Sequence, residues 1–379
     1  MVNGREKEKM SKNPSSITTT YHRSYNYGAS LQAYALQQAL IGIGFENKIL
    51  DFSRNSFVNE PFISGNLKID IARMLFRILS FFHIKEKKRL IKKFDEFTKK
   101  YLQLTRKYDS FEDLCENIPE VDCFITGSDQ VFTVRKPELV VSRNMLAFVK
   151  GRAKKYSYAA SLAEYDLNNS EKEKFKKLLN DFDAVSVREK RAANYLLSNL
   201  GIECRVDLDP VFLLNKDDWV KIAKVPEINV PYILYYQVNS NPLANYILKK
   251  IKNLTKKMIV CVQTNPIIRV KADRVILDAS PEEFLGWIMN ADLVVTTSFH
   301  GTAFSILFEK DFYTLTKPSS NPVRIINLLE NYHLDDRLIY DVEGIDLTSK
   351  INWNNIIKLI EKDRNYSLQY LKDIYSSLK

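Results

Sequence analysis

The 379-residue chain is longer than a single hydrophobic core usually supports, so two domains are expected. With 45% hydrophobic and 27% charged residues, 11 Gly and 12 Pro, its composition excludes collagen-like, low-complexity and wholly disordered chains. The 56 Lys and Arg against 46 Asp and Glu leave a net charge of +10, which favours anionic partners (phosphates, sugar nucleotides, nucleic acid or an acidic membrane face) without choosing among them. Four separated cysteines, Cys115, Cys123, Cys204 and Cys261, form no CxxC pair and fit a reduced, cytoplasmic setting better than a disulfide framework or a zinc site. Residues 1–12 are polar and charged rather than an apolar signal region, and no apolar run has the length of a spanning helix.

Residues 1–15 read as an extension outside the fold. A short β-prone run at 17–21 leads through a polar loop to 29–43, where Leu31, Ala35, Leu36, Ala39 and Leu40 keep helical spacing. Gly44 ends that helix and 48–52 returns as a strand, which makes a first βαβ unit of a parallel sheet. Between 55 and 108 the pattern changes. Residues 69–84 are strongly apolar, with Met74, Phe76, Ile78, Phe81 and Phe82, and 85–107 are densely basic, so an inserted helical pair is expected over about 60–108. Strands resume at 121–126, 155–160 and 184–187, separated by helices at 171–180 and 189–200.

After Asp209-Pro210 an acidic, turn-rich stretch to Pro231 marks the domain junction. Strands at 232–238, 258–262, 275–277 and 293–296 then alternate with helices at 243–254, 281–289 and 302–308. The expected fold is α/β: Rossmann-like domains at 16–215 and 225–345, with a long helix within 350–379 crossing back onto the first.

In open parallel sheets, ligands gather at the carboxyl ends of strands, where loops enter helix N-termini that favour anions. Four loops meet that description: Tyr25-Asn26-Tyr27-Gly28-Ala29-Ser30, Thr126-Gly127-Ser128-Asp129-Gln130, Ser186-Val187-Arg188-Glu189 and Thr297-Ser298-Phe299-His300-Gly301-Thr302. His300 follows an apolar strand and precedes a helix opened by Gly301, so its imidazole is placed to transfer protons near neutral pH or, equally, to satisfy carbonyls of a tight turn. His22 lies near the first loop, whereas His83 and His333 sit in helical, surface-like contexts. Asp129 reads as a carboxylate for a hydroxyl proton or a sugar ring, or as an Asx turn. Arg188 reads as a bidentate clamp on carboxylate or phosphate, or as half of a salt bridge with a neighbouring acid.

The chain has no GxGxxG, GxxxxGK[ST] or HExxH, so neither a dinucleotide fingerprint, a P-loop nor a metal site is expected. The run Lys85, Lys87, Lys88, Arg89, Lys92, Lys93, Lys99 and Lys100 suits contact with an anionic membrane surface or a solvated helix face, and no nucleic-acid-binding motif accompanies it.

These loops, together with Leu31-Gln32-Ala33-Tyr34-Ala35-Leu36-Gln37, Tyr158-Ala159-Ala160-Ser161 and Asp209-Pro210-Val211-Phe212-Leu213-Leu214, span about 21 to 338. In that order they resemble the polysaccharide pyruvyl transferase family. The resemblance implies a fold similar to GT-B glycosyltransferases, two Rossmann-like domains facing across a cleft. It also implies transfer of the three-carbon unit of phosphoenolpyruvate onto two hydroxyls of a sugar, forming a cyclic pyruvate ketal and releasing phosphate without a further cofactor or metal.

By the same resemblance, His300 would protonate the methylene carbon of phosphoenolpyruvate, and Arg188 and Arg324 would hold its carboxylate and phosphate. Asp129 would orient or deprotonate an acceptor hydroxyl, and Asn26, Tyr27 and Gly28 would face the sugar or its diphosphate. Ser128, Gln130, Ser298, Gly301 and Thr302 complete the expected substrate contacts. Where the related pattern is Arg-Leu-His-Gly, this chain has Ser298-Phe299-His300-Gly301, which leaves Arg324 or Lys317 to hold the donor. The implied acceptor is a glycan intermediate, lipid-diphosphate-linked at the inner face of the plasma membrane. Two other readings share the fold: a nucleotide-sugar glycosyltransferase, marked by a carboxylate-rich ribose site in the second domain, and a non-catalytic subunit of polysaccharide assembly.

Overall fold

The computed structural model describes residues 13–52, 83–133, 138–162, 167–316, 322–343 and 345–379. Ser15–Thr19 (β1), Glu46–Phe52 (β2), Leu104–Tyr108 (β3), Cys123–Thr126 (β4) and Lys154–Ser157 (β5) form an all-parallel sheet in the order β3-β2-β1-β4-β5. Ser186–Val187 (β6) and Arg205–Val206 (β7) pair beyond β5, joined to it through single bridges from Tyr156 to Ala184 and from Ala160 to Val187. A second all-parallel sheet takes Tyr232–Tyr236 (β8), Met258–Val262 (β9), Arg274–Ile276 (β10), Leu293–Thr296 (β11), Phe312–Leu315 (β12) and Leu338–Ile339 (β13), in the order β10-β9-β8-β11-β12-β13. These are two Rossmann-like lobes.

Helices cover the sheets, which is why central strands such as β8 and β11 are buried along their whole length and read as continuous apolar runs. In each sheet the order in which the chain adds strands reverses once, between β1 and β4 and between β8 and β11, and leaves a crevice at the carboxyl ends of those strands. Register keeps the ends level, with Thr19 beside Thr126 and Tyr236 beside Thr296.

Residues 104–108, expected to end the basic helix, are instead the edge strand β3, where exposed Arg106 and Lys107 discourage further pairing. The apolar stretch 69–82 of the expected helical pair lies outside the described residues. The basic helix itself spans Ile84–Tyr101 and buries Leu90, Phe94 and Phe97, spaced for one helical face. That face meets the second lobe. Arg89 pairs with Asp278 at 2.5 Å and Lys93 with Glu283 at 2.7 Å, so part of the basic run ties the lobes together.

One apolar core runs through both lobes. Tyr27, on the first helix (Tyr27–Ile43), stacks on Phe284 of the Pro281–Met289 helix with centroids 4.5 Å apart and planes 3° from parallel, and Phe94 flanks it at 5.3 Å. The C-terminal helix (Trp353–Ser377) crosses back as expected. Its Ile356 and Ile360 join the shared core, while Tyr370 donates to the carbonyl of Ser157 in the first lobe at 3.0 Å. Along the way Arg364 donates to the carbonyl of Phe212 and Ser367 accepts the N–H of Leu208, which pins the 208–212 segment between the lobes. Among the described residues no helix is long and apolar enough to cross a membrane.

Phe284→Ala removes the ring on which Tyr27 stacks, and the expected cost is about 3–5 kcal/mol of unfolding free energy. Urea denaturation measures it. A loss below about 1 kcal/mol would show that this contact does not hold the lobes together.

Candidate functional site

The two crevices face each other across a cleft of about 790 Å³. From the first lobe, Asn26 after β1 and Asp129 and Gln130 after β4 line it. From the second lobe come Val238 to Asn241 after β8, Asn265 after β9, Thr297 to His300 after β11, and Thr316 and Arg324 after β12. Every wall is therefore a strand carboxyl end.

His300 lies in the first turn of the Phe299–Leu307 helix, one turn earlier than the sequence reading starts that helix, because Ser298 caps it by accepting the Gly301 N–H. The imidazole is 9% exposed. On one side it abuts Gly28, where a Cβ would fall 2.0 Å from Nδ1, so only glycine admits the ring. On the other side Nε2 faces the Asp209 carboxylate at 3.6 Å, beyond hydrogen-bonding reach and within that of charge attraction. A catalytic candidate of one lobe is thus oriented by the other.

Asp209 is fully buried at the cap of a 3₁₀ turn (Pro210–Phe212), where Oδ1 accepts the Val211 N–H at 3.1 Å. Oδ2 accepts from Arg188 Nη1 at 2.5 Å. Burial works against the Asp209 charge, but His300 and Arg188 outweigh it and hold the carboxyl well below the usual range. Arg188 in turn donates to Glu189 at 3.0 Å and lies over the Phe299 ring at 4.7 Å. Burial alone would lower its pKa; Glu189 and Asp209 raise it instead.

This corrects the expectation for Arg188. Its guanidinium is 4% exposed and engaged by two acids, so it braces Asp209 and lines a second cavity of about 340 Å³ instead of the cleft. The salt-bridge alternative describes it, with a buried rather than a surface pair. Arg324 lines both cavities, and its two terminal nitrogens donate to the side-chain oxygen of Gln130 at 3.0 and 3.1 Å, a contact across the cleft. Lys317 lies outside the described residues.

Asp129 lines the cleft with a positive φ of 69°, a strained setting that Asp tolerates better than most residues. Its carbonyl holds the loop by accepting the N–H groups of Val131 and Ser161, and its carboxylate makes no side-chain hydrogen bond among the described residues. Asn26 lines the cleft while capping the first helix through the Ala29 N–H.

Four other expected contacts turn inward. Tyr27 is fully buried in the shared core. Ser128 donates to the Ala159 carbonyl at 2.8 Å, and its N–H goes to Gln32. Thr302 bonds Thr314 and the Ser298 carbonyl, and Gly301 gives clearance to Thr296, whose Oγ1 would lie 2.3 Å from an added Cβ. Gly28, the fifth, touches His300 rather than a ligand.

Among the other histidines, His22 is buried 3.4 Å from Asp51, His83 sits beside Glu86, and His333 is exposed; none lines the cleft. The residue that sequence reasoning missed is Asp209. Its Asp-Pro pair signalled a turn, and nothing local indicated that the turn would meet a histidine 91 positions later. Among the described residues no three His, Cys, Asp or Glu side chains are grouped to hold a metal ion.

Two parallel-sheet lobes with Rossmann strand orders, a cleft between their carboxyl edges and a crossing C-terminal helix define a protein of the GT-B architecture. The family model for polysaccharide pyruvyl transferase matches residues 26–316, and the chain belongs to that family. Its fold is similar to that of UDP-GlcNAc 2-epimerase from Neisseria meningitidis bound to UDP-GlcNAc, with TM-score 0.53, 11% identity, and 96% of this chain and 98% of that one covered. The S. aureus MnaA–UDP structure is similar too, with TM-score 0.52, 12% identity, and coverage of 93% and 89%. At such identities the likeness concerns the fold. No curated protein matches the chain.

Gly28→Ala places a methyl group inside the His300 ring, so the imidazole must move, and a misplacement of this kind costs about 10²-fold in turnover. Histidine ring NMR shifts and activity check it; an unmoved ring would refute it. Asp209, with its depressed folded pKa, stabilises the native state above the unfolded value. As pH falls below about 4 the unfolded chain takes the proton first, and that stabilisation fades toward the folded pKa. Asp209→Asn is expected to lower stability near neutrality and to flatten the slope below about pH 4 in denaturation series.

Proposed function

We propose that this protein transfers pyruvate from phosphoenolpyruvate to two hydroxyls of a sugar in a glycan intermediate, as a cyclic ketal. The carrying observation is the cleft that sets His300 of one lobe against Asp129 of the other, with Asp209 backing the imidazole. With Nε2 turned to Asp209, Nδ1 hands its proton to the methylene carbon of the donor, and C2 becomes electrophilic. Asp209 stabilises the imidazolium before transfer. One sugar hydroxyl adds to C2 and loses its proton to Asp129; the second hydroxyl displaces phosphate, which leaves as hydrogen phosphate with the Asp129 proton, and gives its own proton back to His300. The π bond of the enol and the C2–O bond to the phosphate group are lost, one C–H bond and two C2–O bonds to the sugar are made, and His300 and Asp129 both return to their starting protonation.

Arg324, at the cleft wall, supplies a cation for the donor's phosphate or carboxylate. The second-lobe lining supports this reading over nucleotide-sugar transfer: among the described lining residues it carries no carboxylate to clamp a ribose. Exposed Lys85, Lys87 and Lys88, on the basic helix, support a resting place at an anionic inner membrane face, where a lipid-diphosphate-linked acceptor would be presented.

Incubation with phosphoenolpyruvate and candidate lipid-linked sugars, followed by mass measurement, tests the reading. Glycan-dependent phosphate release with one ketal-linked pyruvate on the product is expected, and His300→Gln is expected to reduce it by about 10²- to 10⁴-fold. Phosphate release indifferent to glycan, or a His300→Gln enzyme of undiminished rate, would end it.

A further inference from the structure

The cleft has two chemically different ends, and strand order fixes which residues stand at each. Along the carboxyl edge of the second sheet the loops follow β9, β8, β11 and β12 in turn, spaced by about 4.8 Å per strand. Arg324 follows β12 and His300 follows β11, while Asn239 and Asn241 follow β8 and Asn265 follows β9. Among the described lining residues, Arg324 is the single cation and Asp129 the single carboxylate. The β8–β9 end therefore carries no charged side chain among the described lining residues: Asn239, Ser240, Asn241 and Asn265 stand there beside Val238 and Ile268.

Those amides are set in place. Asn241 Oδ1 accepts the Leu243 N–H at 2.9 Å and Asn265 Oδ1 accepts the Ile267 N–H at 3.0 Å, so each carbonyl is fixed by the backbone two residues on. Their Nδ2 groups donate to no acceptor among the described residues, and each is left with two N–H donors. Asn239 is exposed, and its side chain makes no hydrogen bond there. A phosphate-bearing ligand calls first for cations, and among the described lining residues none stands at this end. Hydroxyl and ring oxygens need no such charge. The cleft, at about 790 Å³, also lies in the size range of sites that enclose a ligand much larger than a three-carbon acid.

We infer that the β8–β9 end of the cleft is the acceptor subsite and takes an uncharged saccharide through Asn239, Asn241 and Asn265. This rests on the pyruvyl-transfer reading, which places the donor at the Arg324 end. It moves the sugar away from the Asn26 to Gly28 loop, where Tyr27 and Gly28 are occupied by packing.

Ligand-observed NMR on the full chain tests it, with neutral disaccharides ending in galactose, glucose, mannose or N-acetylglucosamine, and with phosphoenolpyruvate and UDP as separate probes. At least one saccharide is expected to bind. Asn239→Ala and Asn265→Ala are each expected to weaken it about three- to tenfold while leaving phosphoenolpyruvate affinity unchanged. Asn239→Ala removes no internal bond, so it keeps the test decisive even if Asn265→Ala melts early. Unchanged saccharide affinity in both variants, no saccharide bound by the natural chain, or UDP binding lost on these substitutions would overturn the inference. Saccharide bound as expected, with no binding of phosphoenolpyruvate, would leave the subsite standing and remove the pyruvyl-transfer reading instead.

Discussion

The imidazole of His300 sits in a slot that neither lobe makes alone: its helix belongs to the second sheet, while Gly28 and Asp209, which close the slot on either side, belong to the first. A ring held this way keeps its orientation only while the lobes keep their distance. Much of the remaining architecture meets that requirement. The aromatic stack of Tyr27 on Phe284, the basic helix with its ion pairs to Asp278 and Glu283, and the C-terminal helix over the 208–212 segment all bear on the same joint.

That joint also explains the buried charges. Arg188, Glu189 and Asp209 form an ion-paired group that would be costly to bury without mutual compensation, and its net effect is to keep a carboxylate ionised beside the histidine. A neutral acid in that place would neither attract an imidazolium nor fix the ring. The group serves the chemistry of the cleft from behind it, which is why Arg188 lines the rear cavity.

Much of the fold was legible in sequence because β8, β9 and β11 are apolar runs bounded by turns, and because the first helix stops at Gly44, whose φ of 120° suits glycine. β3 and β12 were not. Leu104–Tyr108 carries Arg106 and Lys107 because it lies at a sheet edge, and Phe312–Leu315, as short as β11 but with Tyr313 and Thr314 at its centre, does not read as an apolar run. The candidate site divides similarly. His300, Asp129, Asn26, Gln130, Ser298 and Arg324 follow strand ends or open helices, positions that a chain-order reading marks, and all six line the cleft. Tyr27, Ser128 and Thr302 occupy equivalent local positions yet face inward, since which side of a loop meets the cleft depends on what packs behind it.

The order of strands and helices, the turn glycines and the loops at the carboxyl ends were thus determined locally, by periodicity and backbone preference within a few residues. Tertiary structure alone decided that Asp209 meets His300, that Arg188 is a brace, and that amides crowd one end of the cleft and a guanidinium the other. Those relations join residues tens of positions apart, and they arise when two sheets are packed against one core, a condition that no window of sequence contains.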